Sequence, residues 1–251
     1  VARGFGKMLA CARARVFPKP RATMLSCRAA GSTRVLPATL PFVGEAVEAL
    51  RREKVIAIPT DTIYGIAASA CSVIGIERLY DAKQRSREVP LAVCVGDAAD
   101  VSKYADVAHL NPKLLEELLP GPVTLLLRRK TLTEGCDLSP GLNPGLGLLG
   151  IRVPDSEFIR HVSRGFGKAI ALTSANQSGT PSTLSVEEFE NLWDKCEVVF
   201  DGGRIGLDAS RSGSTIVNLS VPGEFSIARP GTTCDTICET LERYGIKQKQ
   251  P

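Results

Sequence analysis

The chain has 251 residues, of which 43% are hydrophobic and 23% are charged; this composition is typical of globular proteins and excludes disorder of the whole chain. It contains no uninterrupted apolar run of about eighteen residues, which excludes a membrane-spanning helix. The net charge of +4 is too small to indicate general binding to nucleic acid.

The basic charge is concentrated at the beginning of the chain. Residues 1–40 contain eight arginines and lysines and no acidic residue, so the remainder is net acidic. An Arg-rich, acid-free segment with Ser and Ala is typical of a mitochondrial transit peptide, and a disordered basic tail is the alternative. Because the sequence begins with Val1, and Met8 and Met24 are candidate internal starts, we also expect a shorter cytosolic form. The expected locations are therefore cytoplasm and mitochondrion.

After residue 40 the apolar pattern becomes regular. Helical spacing is found over 42–50, 72–83, 111–119, 155–164, 185–194 and 234–244. Short apolar strands are predicted over 55–59, 90–95, 123–127, 150–153, 169–173, 197–200, 215–219 and 225–228. Alternating helices and strands predict an α/β sheet, with antiparallel pairing among the last three strands. We expect one domain over 41–245 and a tail over 246–251.

Two familiar cofactor patterns are excluded. Gly145, Gly147 and Gly150 match the dinucleotide pattern GxGxxG, but a Pro-rich loop precedes them and a strand follows, whereas the pattern requires a strand before and a helix after. The eight cysteines include no CxxC pair, and there are two histidines, so we expect no zinc site and a reducing compartment. No protein side chain is predicted as a metal ligand.

Polar loops that directly follow or precede apolar strands are better candidates for a site, because ligands of α/β sheets bind at strand ends. Four such regions occur, at 59–65, at 83–86, at 173–182, and at 212–215 together with 229–231. Each also has a purely structural interpretation as a capped turn, a helix end or a surface loop. Taken singly, none of them is decisive.

Taken together, these regions contain PTDTIYG, KQR with SREVPL, GIRVPD, TSANQSG, GSTIV and ARPG, in this order over residues 59–231. This set resembles the YrdC/Sua family of threonylcarbamoyl-AMP synthases, and in particular its animal single-domain members. The resemblance implies a single-domain twisted mixed α/β sheet with helices around an open central cavity. It also implies that L-threonine, bicarbonate or CO₂, and ATP with Mg²⁺ are converted to threonylcarbamoyladenylate and pyrophosphate.

The resemblance also implies a place in tRNA modification. The product would pass to a downstream tRNA threonylcarbamoyl transferase, as the first step towards N6-threonylcarbamoyladenosine, t6A, and no stable binding of tRNA would be required. Two alternatives stay open. One is a non-catalytic RNA-binding module of the same fold, and the other is a carbamoyl-transfer domain like that of hydrogenase-maturation HypF proteins. The latter join this fold to further domains that 251 residues do not accommodate.

The matching motifs imply the following roles, in this sequence's own numbering. The catalytic residues would be Lys83, Arg85 and Arg152. ATP would be bound by Lys83, Arg85, Ser174, Asn176, Ser182 and Arg229, with the cations and hydroxyls on the phosphates. Threonine would be bound by Thr62, Tyr64 and Ser214, and by Arg152, whose planar fork suits a carboxylate.

Three departures from the family pattern bear on these roles. Cys94 stands where many members carry histidine, which puts a substrate contact there in doubt. Gln84 stands where glycine is usual in the basic motif, which affects the flexibility of that loop. The connection 131–149 is long and rich in Gly and Pro, and is either a lid or an insertion without catalytic consequence.

Overall fold

The computed structural model describes residues 33–84, 89–177, 179–206 and 211–249. In this part of the chain, eleven strands form one mixed sheet. The strands are Arg34–Pro37 (β1), Ile56–Pro59 (β2), Tyr64–Ser69 (β3), Ala92–Cys94 (β4), Val123–Arg128 (β5), Leu148–Arg152 (β6), Ile170–Ser174 (β7), Val198–Asp201 (β8), Thr215–Asn218 (β9), Glu224–Arg229 (β10) and Lys247–Gln248 (β11).

Helices accompany the sheet between most of these strands. The α-helices are Val43–Arg51 (α1), Val73–Lys83 (α2), Val101–Tyr104 (α3), Pro112–Leu118 (α4), Glu157–Phe166 (α5) and Cys234–Arg243 (α6). Shorter 3₁₀ turns lie at Leu40–Phe42, Ala98–Asp100 and Leu132–Glu134. The helix predicted over 185–194 is the 3₁₀ segment Val186–Lys195, interrupted where Phe189 leaves helical geometry.

The strand order is β1-β8-β2-β3-β7-β4-β6-β5-β9-β10-β11. Parallel and antiparallel pairs alternate irregularly along it, so the predicted mixed α/β fold is confirmed. The last three predicted strands do not form one antiparallel group, however. β9 and β10 pair antiparallel, whereas β8 lies between β1 and β2 and is parallel to both. β8 is apolar along most of its length, as expected of a parallel strand covered on both faces.

The sheet is covered on both faces by apolar clusters. The larger cluster packs α2, α4 and α6 against one face, and the smaller cluster packs α1 and α5 against the other. Successive side chains of β3 pack on opposite faces of the sheet, because Ile66 and Ala68 belong to the larger cluster and Ala67 belongs to the smaller one. This two-sided burial explains why the inner strands lack apolar and polar alternation in the sequence.

Three strands fall where the sequence predicted none. β1 lies inside the range assigned to the leader, and β11 inside the range assigned to the tail, so the sheet extends past both predicted domain boundaries. β1 is only four residues long with one buried side chain, Leu36, which is too short a pattern to recognise. β3 was assigned partly to a polar loop because it begins with Tyr64-Gly65. A Cβ at Gly65 would lie 2.7 Å from Leu172 Cδ1 and 3.0 Å from Thr173 C=O, so the close approach of β7 favours glycine.

Much of the long Gly/Pro-rich connection is packed against the domain. Cys136, Leu138 and Leu142 are buried. The Asn143 side chain donates to Leu91 C=O at 2.9 Å and accepts from Leu91 N–H at 2.8 Å, which ties the connection to the chain just before β4. Of the two interpretations left open by the sequence, a packed insertion therefore describes these residues better than a lid.

No helix within the described ranges has the length and apolar character needed to span a bilayer.

Candidate active site

The turn between β2 and β3 is held by its own threonines. Thr60 Oγ1 accepts hydrogen bonds from the N–H groups of Thr62, at 3.2 Å, and Ile63, at 3.3 Å, and donates to Ile63 C=O at 2.7 Å. Thr60 and Thr62 are both buried. A turn bonded in this way presents the intervening residue, Asp61, in one fixed direction.

Asp61 points to Arg152 at the end of β6. The two side chains form a buried ion pair between Asp61 Oδ1 and Arg152 Nη2, with 7% and 6% of their side-chain surfaces exposed. The second carboxylate oxygen of Asp61 accepts from Asp155 N–H at 3.0 Å. Thr62 Oγ1 lies 3.5 Å from both terminal nitrogens of Arg152. The structure thus brings Thr62 and Arg152 together, as the sequence predicts.

Tyr64 does not reach this cluster with its hydroxyl. Its side chain is fully buried, and its OH donates to Gly203 C=O at 2.7 Å and accepts from Gly202 N–H at 2.9 Å. Burial raises the pKa of the phenol, so it stays neutral. The assignment of Tyr64 as a threonine contact is therefore corrected: the phenol has no accessible surface, and it anchors the segment after β8 to the start of β3.

Lys83, the last residue of α2, is also buried, with 4% of its surface exposed. Its ammonium group donates to Ser174 C=O at 2.8 Å, to Asn176 Oδ1 at 3.1 Å and to Asn176 C=O. The Ser174 hydroxyl in turn donates to Asn176 Oδ1. Lys83, Ser174 and Asn176 therefore form one cluster, in which Lys83 fixes the loop after β7. This differs from the predicted direct contact of Lys83 with phosphate.

Ser182 lies further along the same loop and is held through its backbone. Arg211 donates to Ser182 C=O at 2.7 Å and pairs with Glu188 at 2.5 Å. The same arginine hydrogen-bonds Glu188 through its second terminal nitrogen, and this lowers the pKa of the Glu188 carboxyl. Arg211 thereby joins the stretch before β9 to the loop that carries Ser174 and Ser182.

Ser214 and Arg229 form the third cluster. The Ser214 hydroxyl is 2.7 Å from Thr124 Oγ1, and its carbonyl accepts from Arg229 Nη2 at 2.8 Å. Ser214 is buried, whereas Arg229 is exposed. A Cβ at Gly231 would lie 2.4 Å from Thr215 N, so only glycine allows the chain after β10 to pass so close to β9.

These clusters adjoin one another through the backbone. Tyr64 C=O accepts from Ala175 N–H at 2.8 Å, which joins the β2–β3 turn to the loop after β7. A Cβ at Gly213 would lie 3.6 Å from Ile63 Cδ1, so the stretch before β9 passes beside the same turn. The predicted residues thus surround the β2–β3 turn. A cavity of about 350 Å³ borders the turn at Pro59 and Thr60, but none of the residues assigned to ATP or threonine lines it.

Arg85 and Cys94 are two further residues singled out in the sequence. Arg85 lies outside the described residues, so its predicted role at ATP stays a prediction. The Cys94 side chain is fully buried in the smaller cluster, with its sulfur 3.6 Å from Ser163 Oγ in α5. Burial raises the pKa of the Cys94 thiol to about 11, so it is protonated and has no surface for a substrate contact.

Asp61 is the residue that the sequence analysis missed. It stands inside the quoted motif PTDTIYG, yet no role was assigned to it. A signal was available, because Asp61 follows an entirely apolar strand and Arg152 ends another one. Charged residues in such positions are stable only when paired. The pairing partner itself could not be read from the sequence, since the two residues are far apart in the chain.

Comparison with known proteins identifies the family of the chain. The Sua5/YciO/YrdC family model, described as telomere recombination, matches residues 48–231. Proteins named threonylcarbamoyl-AMP synthase are 46% identical over 209 residues in Mus musculus and 42% identical over 236 residues in Bos taurus. These alignments cover 82% and 91% of this chain, and 72% and 83% of the relatives.

A solved structure adds a likeness in three dimensions. The crystal structure of P. abyssi Sua5 complexed with L-threonine has a TM-score of 0.72 and 25% identity. The likeness covers 86% of this chain and 62% of that protein's chain, so this chain spans less than two thirds of Sua5. Motifs, sheet and relatives agree, and the chain belongs to the Sua5/YciO/YrdC family.

Proposed function

We propose that this chain is a threonylcarbamoyl-AMP synthase, a nucleotidyltransferase that converts L-threonine, bicarbonate or CO₂, and ATP to threonylcarbamoyladenylate and pyrophosphate. The observation that carries the proposal is the buried Arg152 beside the Asp61–Thr62 turn. A guanidinium in that position is suited to an amino-acid carboxylate. The relatives that carry this name, and the threonine complex of Sua5, support the same reaction.

The chemistry requires positioning more than acid or base catalysis. The neutral threonine amine takes up CO₂ with loss of a proton, or bicarbonate with loss of water, to give a carbamate. A carbamate oxygen then attacks the α-phosphorus of ATP, and the bond from that phosphorus to the bridging oxygen breaks as pyrophosphate leaves. The carbamate is already a nucleophile, so the protein has to hold it in line with phosphorus and to favour the developing charge.

Arg152 and Thr62 hold the amino-acid end in this proposal. The guanidinium donates to the carboxylate, while the buried surroundings exclude water and strengthen the hydrogen bonds. Ser214 lies across the β2–β3 turn, beside Gly213, and completes the amino-acid end from the side of β9. These groups fix where the amine, and hence the carbamate, projects.

The nucleotide end lies on the loop after β7. Lys83 affects the nucleotide indirectly, because its three hydrogen bonds to Ser174 and Asn176 fix the loop that would approach the phosphates. The Ser182 hydroxyl and the exposed Arg229 supply donors on the same side, and Arg85 adds a second cation. Lys83 is then a positioning residue.

We propose further that Mg²⁺ enters with ATP and balances phosphate charge, as it does in other phosphoryl- and nucleotidyl-transfer sites. The described residues contain no group of three or more His, Cys, Asp and Glu side chains placed to hold a metal ion. The fit therefore rests on the phosphate oxygens of ATP.

We also propose the cellular setting. The adenylate is a reactive mixed anhydride, so a transferase must consume it by moving the threonylcarbamoyl group to a tRNA adenosine. The cytoplasm and the mitochondrion are the proposed locations, on the basic, acid-free character of residues 1–40. No stable complex with tRNA is needed for the first step.

The direct test is incubation of the full chain with ATP, Mg²⁺, bicarbonate and L-threonine. Pyrophosphate release that depends on threonine, together with threonylcarbamoyladenylate detected by mass spectrometry, is the expected result. Reactions that lack threonine or bicarbonate are the controls. Tight binding of tRNA without any pyrophosphate release would instead favour the non-catalytic RNA-binding module.

A further inference from the structure

One hydrogen-bond donor of the Arg152 side chain has no acceptor within the described protein, which leaves it available for a substrate. Its Nη2 pairs with Asp61, and Nη1 has Thr62 Oγ1 at 3.5 Å. Its Nε is buried, and among the residues that the structure describes nothing accepts a hydrogen bond from it. Buried donors without an acceptor are rare in folded proteins and unfavourable. Nε and Nη2 lie on one edge of the guanidinium plane, so this edge is half used.

Asp61 is fixed independently of Arg152. Its other oxygen accepts from Asp155 N–H at 3.0 Å, and the turn that carries it is closed by the hydrogen bonds of Thr60. The carboxylate therefore holds the guanidinium, and not the reverse. If Asp61 were only a substitute for the substrate carboxylate, its second oxygen would be expected near the vacant Nε, which it is not.

We propose that Asp61 is a positioning residue for the substrate carboxylate, acting through Arg152. It holds Nη2 and keeps the guanidinium plane fixed, so that the Nε edge receives the threonine carboxylate. The inference rests on the proposed function, since it takes L-threonine as the ligand. It assigns the Nε edge of Arg152 to the threonine carboxylate, and it assigns to Asp61 the orientation of the guanidinium.

The alternative is that Asp61 competes with substrate and must be displaced. The two possibilities predict opposite effects of removing the carboxylate. Positioning predicts weaker use of threonine, because a released guanidinium samples several orientations. Competition predicts stronger use of threonine, because the fork becomes free.

The first experiment compares Asp61→Ala and Asp61→Asn with the wild type in threonine-dependent pyrophosphate release. Asp61→Ala is expected to raise the threonine KM by about tenfold or more, with a change in ATP KM of less than about twofold. Asp61→Asn should recover part of the loss, because its amide oxygen still accepts from Nη2. Asp97→Ala is the matched control, since Asp97 pairs with Arg164 and Arg160 instead of Arg152, and its threonine KM should not change.

A second readout does not depend on turnover. The Nε–H proton resonance of Arg152, identified as the signal lost in Arg152→Lys, should shift when L-threonine is added to the wild type. In Asp61→Ala the same shift should require about tenfold more threonine. This measurement also serves if one Asp61 variant folds too poorly for kinetics, because Asp61→Asn can replace it.

The outcomes separate this inference from the proposed function. A wild-type chain without threonine-dependent pyrophosphate release would overturn the proposed function itself. An active wild type whose Asp61 variants keep or lower the threonine KM would overturn only the positioning role. An Nε–H shift with the same threonine midpoint in Asp61→Ala as in the wild type would do the same.

Discussion

Arg152 and Lys83 are cations that the fold buries almost completely. Each is tolerated because oxygen atoms surround it, a carboxylate in the first case and two carbonyls with an amide in the second. A buried charge with such partners is difficult to replace, since removing it leaves the partners without a donor. Arg152 has a donor, Nε–H, without an acceptor among the described residues, whereas the hydrogen bonds of Lys83 fix the loop after β7. Substitution of each residue tests this difference.

Arg152→Lys is expected to raise the threonine KM by about tenfold or more, because lysine offers a point charge without the planar fork. ATP binding, measured by calorimetry, should stay nearly unchanged. Threonine amide should be a poor substrate of the unmodified enzyme for the same reason. Arg160→Lys, at a half-buried arginine that pairs with Asp97, is the control. An unimpaired threonine KM in Arg152→Lys would show that the carboxylate is held elsewhere.

Lys83→Met is expected to lower the free energy of unfolding by about 1–3 kcal/mol, because Ser174 and Asn176 lose a buried donor. The ATP KM should rise as well, since the loop after β7 loses its support. Urea denaturation checks the first effect and pyrophosphate release the second. Lys103→Met, at a largely exposed lysine, should change stability by no more than about 0.5 kcal/mol. Wild-type stability in Lys83→Met would contradict the anchoring role.

At the scale of residues, sequence reasoning found the segments of the site but not the direction of the side chains. Thr62 and Arg152 meet as expected, because both belong to motifs that follow apolar strands. Tyr64 and Lys83 were assigned to substrates, yet the structure turns both towards the protein. Which side of a loop a side chain occupies depends on tertiary contacts between residues 90 or more positions apart, as between Lys83 and Asn176, and a local pattern does not contain them.

At the scale of elements, the well-marked helices and the inner strands were predictable. Ser72 Oγ accepts from Gly75 N–H at the start of α2, and Asn111 Oδ1 accepts from Lys113 N–H at the start of α4, as their sequences indicate. The outer strands β1 and β11 were not, because strands of two to four residues gain their stability from pairing and not from their own pattern.

The strand β1 gives a test of the domain boundary. Removing residues 1–32 should leave stability and turnover unchanged, because β1 stays in place. Removing residues 1–40 should lower the free energy of unfolding by roughly 1.5–3 kcal/mol from the lost burial of Leu36 alone. The pairing with β8 would be lost as well. Equal urea midpoints for the two truncations would show that β1 contributes nothing.

The junction between α5 and the segment before α3 should be sensitive to acid. Hydrogen bonds from Arg164 hold the pKa of Asp97 at about 2, below its ordinary value of about 3.9. A pKa lowered by folding stabilises the protein above the unfolded value, and the contribution is lost as the pH falls towards the folded one. Asp97→Asn should therefore be less stable than wild type at pH 7 in urea denaturation. The difference should shrink between about pH 4 and pH 2, and a constant difference would contradict this.

At the scale of the whole molecule, the N-terminal segment is predicted to act separately from catalysis. Residues 1–32 fused to a fluorescent reporter should direct part of it to mitochondria, because they are basic and acid-free. The same segment with its arginines replaced by glutamine is the matched control and should leave the reporter in the cytosol. A reporter that stays wholly cytosolic with the natural segment would contradict the targeting role.

The position of β1 in the sheet also affects how the protein is made. Among the strands of the described residues, β1 pairs only with β8, and the first pair joins Arg34 to Val198. At about 5–20 residues per second, a ribosome needs on the order of 10–30 s to synthesise the intervening chain. During that interval β1 has no partner strand, because β8 has not yet been made. The edge of the sheet at β1 can therefore form only in the last part of synthesis.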